Sequence, residues 1–214
     1  KDMYFEQAVT ELRGYPKLEG TRHVNMALIA KLIPSYMFMP GEFEEIGRIT
    51  DNRNDDFMFN QGRTRGYAKT KFHDYNIAYK TLAHLPNVQV FMEQIEAYKD
   101  YLVVSGQGLS EQMKDFDYLL AVGELFTMVA YGQLIIESAR MEGVSDEIMN
   151  QMFDVFVRDF SSFAVDLYGK PLNTDAQIEK IIKMIKRPVP NDAEFEKILN
   201  EEVYSLVDVY QQNP

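Results

Sequence analysis

Residues 118–136, YLLAVGELFTMVAYGQLII, form an almost uninterrupted apolar run. Its length approaches the roughly 20 residues needed to cross a bilayer. A helix that is apolar all round has only two stable settings, lipid or a protein interior that covers it on most sides. Glu124, Thr127 and Gln133 interrupt the run, and its flanks are acidic, without the Lys/Arg bias or aromatic belt of a span. The reading is a buried central helix with no transmembrane segment.

A central helix needs amphipathic neighbours, and the second half of the chain supplies them at spacings of three and four. Val88, Phe91, Met92, Ile95, Tyr98 and Leu102 make one stripe, with Asn87 as the expected N-cap and Gly106 and Gly108 as stops. Ser110 is the expected cap of the central helix, which runs to about Met141 before Gly143. Ser145, followed by Asp146 and Glu147, puts a cap and two acids at the positive end of the next helix, which ends at Gly169 and Pro171. Ile178, Ile181, Ile182 and Ile185 form a fourth stripe with Lys183, Lys186 and Arg187 in its last turn, ahead of Pro188 and Pro190. Asn191 and Glu194 resemble a capping box for a fifth stripe of Phe195, Ile198, Leu199, Val203, Leu206, Val207 and Tyr210.

The first half differs. Residues 21–33 are apolar nearly all round and reach Pro34, which predicts a buried helix stopping there, with packing partners beyond those this half supplies. Residues 40–76 have no sustained period and are dense in Gly, Asn, Asp and Arg, the pattern of a long extended strap. The predicted organisation is all-α: a helical segment over 1–39, an irregular strap over 40–76, and a helical bundle over 77–214. Hydrophobic residues at 46% and charged residues at 26% are enough to pack such a bundle without staples.

Composition also removes several classes of function. The absence of cysteine leaves no disulfide framework and no thiolate metal site, so the expected compartment is the cytoplasm. A net charge of −11 opposes a phosphate backbone, and no nucleic-acid partner is expected. His23, His73 and His84 show no metal-binding spacing, so no metal is expected. The first residues lack the pattern of a signal peptide, and with no initiator methionine before Lys1 the expectation is that further sequence precedes it. Arg63, Arg65, Lys69 and Lys71 cluster in the strap, read as a basic surface loop pairing with acids, or otherwise as a phosphate contact.

The sharpest local feature is YPKLEGTRHVN, residues 15–25. Glu19 precedes a Gly-Thr that opens an apolar helix. A glycine there lets the backbone approach a ligand, free N–H groups at a helix start hold an oxygen, and a carboxylate beside them is a general base. From spacing alone, Glu19 and Thr21 also fit a simple helix cap.

The Glu-Gly-Thr before a buried helix resembles the signature of the acyl-CoA dehydrogenases. The segments KLEGTRHVNMALIAKLIPSYMF, DDFMFNQGRTRGYAKTKFHDYN, DYLLAVGELFTMVAYGQLIIE, FDVFVRDFSSFAVDLYGKP and KRPVP are similar to long bacterial members with an extra helical region, so the resemblance covers nearly the whole chain. It implies the end of the family's C-terminal helical domain followed by a helical extension, without the N-terminal helical and middle β-domains. It further implies FAD as cofactor, an acyl-CoA substrate oxidised to the trans-2-enoyl-CoA in fatty acid β-oxidation, electron-transfer flavoprotein or a similar acceptor, and a homo-oligomer. Glu19 matches the catalytic base, Gly20 the position against substrate, and Thr21, Arg22 and His23 the residues bordering FAD. The chain has Leu18 where members commonly have an aromatic, and Arg22 and His23 where they have Asn, Ser or Thr followed by Gln or Glu. A reading of a different class is a non-catalytic interaction or assembly module with the same fold.

Overall fold

The computed structural model describes residues 5–14, 20–42, 70–106, 111–207 and 209. Among these there are helices and turns and no strand: α1 (Phe5–Leu12), α2 (Arg22–Ile29), α3 (Ile33–Phe38), α4 (Tyr75–Thr81), α5 (Pro86–Ser105), α6 (Phe116–Glu142), α7 (Asp146–Tyr168), α8 (Asp175–Met184) and α9 (Asp192–Ile198). The protein is an all-α helical bundle. The middle of the strap, residues 43–69, with Arg63, Arg65 and Lys69, lies outside the described residues, as do Gly108, Ser110 and Tyr210.

Helix α6 is the predicted central helix. It packs against α2, α4 and α7, while α5, α7 and α8 pack on one another beside it. Leu125, Val129 and Ile136 are fully buried on one side of α6, and Leu119, Phe126 and Met128, which point in other directions, are buried as well. It is the one described helix long and apolar enough to cross a membrane, and 61% of its most apolar stretch is buried inside the protein. Its start is Asp115, whose carboxylate accepts from the N–H groups of Asp117 (2.9 Å) and Tyr118 (3.1 Å). The helix therefore begins later than a cap at Ser110 would place it, after a 3₁₀ turn at Gln112–Lys114. Its end is Gly143 at φ 70°, a left-handed position that favours glycine.

Two further boundaries differ from the sequence reading for local reasons. Pro34 does not stop the chain: after a 3₁₀ turn at Ala30–Leu32, helix α3 begins with Pro34 in its first turn, where a missing N–H has no intrahelical acceptor to lose. Likewise Pro86 starts α5 with Leu85 as its cap residue, so Asn87 is inside the helix and not its N-cap. The Asn87 amide instead imitates a peptide group. It accepts from Val189 N–H (2.7 Å) and donates to Val189 C=O (3.3 Å), which holds the irregular segment after α8 against the bundle. The Gln94 amide nitrogen has Val157 C=O, Ser161 Oγ and Met184 C=O at 2.8–3.1 Å as acceptors for its two hydrogens, while its oxygen is buried without a partner among the described residues.

Ser145 caps α7 as expected, accepting from Ile148 N–H. Thr174 and Gln177 complete a reciprocal capping box on α8. The fifth stripe is not core. Helix α9 is tied to α7 by Asn150–Glu194 and Lys197–Glu147 contacts, then widens into a π turn at Leu199–Val203. Phe195 ahead of that turn and Val203, Leu206 and Val207 in and after it are all exposed, and α9 buries none of its residues.

A column of aromatic rings unites the bundle. Tyr36 of α3 stacks on Tyr75 (centroids 5.5 Å apart), Tyr75 meets Tyr79 (6.2 Å), and Tyr79 meets Phe91 of α5 (5.9 Å). Phe91 is then met edge-on by Phe153, Phe156 and Phe160 of α7 at 5.4–5.5 Å. Each such pair adds about 0.5–1.5 kcal/mol beyond area burial. A buried phenol also needs an acceptor, and Tyr79 and Tyr98 find theirs on α6, at Val129 C=O (2.7 Å) and Val122 C=O (2.9 Å). Tyr101 and Tyr118 pair hydroxyl to hydroxyl.

Gly132 is where α6 makes room for this column. A Cβ there would overlap the Tyr79 hydroxyl and lie 3.3 Å from its Cζ. Gly132→Ala is expected to lower stability by about 1–3 kcal/mol. Tyr79→Phe alone costs about 1 kcal/mol for its lost hydrogen bond. In the double variant the overlap is gone, so the two losses add to less than their sum; strictly additive urea midpoints would contradict this packing.

Burial pushes the phenols of Tyr36, Tyr75, Tyr79, Tyr98, Tyr101 and Tyr118 above the ordinary tyrosine value. The folded state keeps these protons at pH values where the unfolded chain releases them. Stability is therefore flat below the usual tyrosine pKa of about 10 and falls above it, by about 1.4 kcal/mol per pH unit for each retained proton. In a spectrophotometric titration these six phenols should ionise only as far-ultraviolet ellipticity is lost. Smooth ionisation of all 13 tyrosines near pH 10 in a folded chain would refute the burial.

Candidate functional site

The predicted Glu-Gly-Thr corner leads into α2. Gly20 has φ 97°, and a Cβ at this position would lie 3.3 Å from Asn25 Oδ1, so both backbone and space favour glycine. Thr21 is the N-cap residue, its hydroxyl accepting from Val24 N–H (3.4 Å) while its carbonyl accepts from Asn25 N–H (3.0 Å). The backbone N–H groups of Arg22 and His23 open the helix and have no intrahelical acceptor. Glu19 and the His23 side chain lie outside the described residues.

What fixes α2 is its contact with α6. Gly123 allows the two backbones to approach: a Cβ there would lie 3.2 Å from Met26 Cβ and 3.3 Å from Met26 C=O. One turn on, Thr127 donates to Gly123 C=O (2.8 Å) and places its hydroxyl 3.7 Å from Met26 Sδ. The Arg22 guanidinium forms an ion pair with Glu124. The Glu124 side chain is only 8% exposed, against 59% for Arg22, so the carboxylate is the buried partner and the arginine reaches in from the surface.

Farther along α6, Tyr36 of α3 donates to Gln133 Oε1, and the Gln133 amide donates to Glu137 (2.8 Å). All three polar interruptions of the apolar run, Glu124, Thr127 and Gln133, thus face the segment 22–38: Glu124 meets Arg22, Thr127 meets Met26, and Gln133 meets Tyr36. In the sequence these residues argue against a membrane span. Their polarity inside an otherwise apolar helix was also a signal of specific partners, because a buried polar group needs one.

The remaining predicted features do not join this site. His84 lies beside Asp146 in a surface contact (2.6 Å) between the end of α4 and the start of α7. Among the described residues no group of three His, Cys, Asp or Glu side chains is arranged to hold a metal ion. On the other face of α2 and α3, Val24, Leu28 and Phe38 are exposed, with Met39 beyond them. No family model matches the chain, no curated protein matches its sequence, and no solved structure matches its fold.

Gly20→Ala is expected to cost roughly 1–2 kcal/mol through its left-handed backbone, and to speed exchange of the Val24 and Asn25 amides. Gly143→Ala carries a similar backbone cost but has open space around the new methyl. The Gly20 variant should therefore lose more, by urea midpoint, than the Gly143 variant. Equal or reversed losses would remove the close approach of Gly20 to Asn25.

Proposed function

We propose that this chain is the C-terminal part of an FAD-dependent acyl-CoA dehydrogenase, oxidising an acyl-CoA thioester to the trans-2-enoyl-CoA with Glu19 as the base. The observation that carries this reading is the corner formed by Gly20 at φ 97° and the capped start of α2, directly after Glu19 in the sequence. A helix start with unpaired N–H groups and no side chain at the approaching glycine suits an acyl carbonyl or a polar edge of a flavin.

The residues present fit the cofactor at one edge. Gly20 leaves space, Thr21 and the N–H groups of Arg22 and His23 provide polar atoms, and the Arg22 guanidinium is turned to Glu124. FAD held there would supply the acceptor for the hydride that leaves the substrate's β-carbon. Glu19 takes the α-proton, and its own N–H holds the thioester oxygen where negative charge develops. Polarising that carbonyl is what makes the α-proton acidic enough for a carboxylate to remove. By the same resemblance Gly20 would border the acyl chain, and Thr21, Arg22 and His23 would border the cofactor.

In this reading the exposed Val24, Leu28 and Phe38 are packing surface for the enzyme's other domains, and FAD is held mainly by those domains. Electron-transfer flavoprotein or a similar acceptor, a homo-oligomeric assembly and a cytoplasmic setting belong to the same proposal. The exposed stripe after Phe195 favours a second reading, a non-catalytic assembly module.

One kinetic experiment separates the two. In the complete enzyme, Glu19→Gln keeps the shape of the side chain and loses its basicity. Acyl-CoA binding should persist while flavin reduction slows by about 10²–10⁴-fold. A side chain that only caps the helix would leave turnover almost unchanged and cost about 1 kcal/mol of stability or less. Wild-type flavin reduction in Glu19→Gln removes Glu19 from the mechanism.

A further inference from the structure

We propose that the segment 192–207 is a docking surface for a basic amphipathic helix of a partner protein. The inference goes beyond the dehydrogenase reading and does not depend on it, because the surface is built from other elements than the corner before α2.

A helix that closes a bundle turns an apolar face inward. This one is attached by polar contacts instead. Asn150 donates to Glu194 (2.8 Å) and Lys197 pairs with Glu147 (2.5 Å), which ties α9 to α7, and Asn150 is itself held by Asn87 of α5. These ties leave Phe195, Val203, Tyr204, Leu206 and Val207 at 45–65% exposure. Apolar side chains grouped in this way on a protein surface mark an interaction site. The backbone beneath them passes from the α-helix Asp192–Ile198 through the π turn Leu199–Val203 to the 3₁₀ turn Tyr204–Leu206, and π turns recur at functional sites.

Charge selects the occupant. Asp192, Glu194, Glu196, Glu201 and Glu202 are acidic against the single base Lys197. Glu194 is engaged by Asn150, and Glu201 lies 3.9 Å from Lys197. Asp192, Glu196 and Glu202 are exposed, and among the described residues no cation stands within ion-pair distance of them. A second copy of this surface would set the acids against one another, and anionic headgroups would repel them. A wholly apolar partner would strip water from the carboxylates and return nothing. A helix with an apolar stripe flanked by Lys and Arg meets both demands: its stripe covers Phe195, Val203, Leu206 and Val207, and its bases reach the acids.

The test uses the intact protein and an amphipathic Leu/Lys peptide of about 20 residues, long enough to hold a helix. A Leu/Glu peptide of the same pattern and vesicles containing phosphatidylglycerol are run beside it. The Leu/Lys peptide should bind, more weakly as salt rises, and should slow hydrogen exchange of amides 195–207. Val203→Ser with Leu206→Ser should weaken binding about tenfold or more, as loss of apolar anchors does. Glu196→Gln with Glu202→Gln should weaken it about 3–10-fold, and Asp159→Asn with Glu179→Gln, two exposed acids elsewhere, should leave it unchanged. All three pairs are surface changes and should melt with the wild type. The proposal is overturned if the Leu/Lys peptide does not bind, if the Leu/Glu peptide or the vesicles bind as well, or if the Asp159/Glu179 pair weakens binding as much as the Glu196/Glu202 pair. Sedimentation that shows self-association abolished by Val203→Ser with Leu206→Ser also overturns it, since the occupant is then a second copy.

Discussion

A helix with no polar face cannot rest on one neighbour, and the 27-residue α6 imposes that condition on everything around it. Most of its circumference is covered by α2, α4 and α7, with tyrosines of α4 and α5 reaching its carbonyls from the side, while Tyr131 and Leu134 stay exposed. Enclosure on this scale needs close approach. Gly123 lets the α2 backbone in, and Gly132 lets in the Tyr79 ring. These two glycines are nine residues apart on one helix, each opposite a different partner, so α6 is shaped by what it omits as much as by its apolar side chains.

Much of the fold could be read from periodicity and caps, because these signals act within a few residues. Ser145 before two acids gave a helix start that holds, and Gly143 a helix end in the conformation that favours glycine. The misses fall where a tertiary partner or a second local signal outweighed the first. Asn87 has the composition of a cap, but Pro86 had already set the helix start, freeing its amide to bind Val189 across the bundle. Pro34 resembles a stop, yet a proline in the first turn of a new helix is well tolerated. The stripe from Phe195 has the right spacing for a core, but spacing does not supply a partner to cover it, and α9 buries none of its residues.

At the candidate site, the legible part was the Gly20–Thr21 corner, since a glycine before a capping hydroxyl is a local signal. Glu124 was not legible as its neighbour. The two positions are more than a hundred residues apart, and nothing in one segment names the other. The clue lay in the exception: a glutamate where every local preference favours an aliphatic residue must have a partner, although its identity depends on the fold.

That exception has a consequence for how the two halves of the chain act on each other. Apolar packing between α2 and α6 would tolerate small rotations of α2, because dispersion is nearly indifferent to direction. Hydrogen-bonded contacts are not. Arg22–Glu124 at the start of α2 and Tyr36–Gln133 in α3 anchor the segment 22–38 at two places on α6, nine residues apart on that helix, with Met26 packed over Gly123 beside the first. Two directed contacts on one rigid helix fix an orientation that one contact leaves free. Because α6 is itself enclosed by α4 and α7, this orientation is referred to the whole bundle. Any function carried by the corner before α2 therefore inherits its geometry from residues far downstream in the sequence.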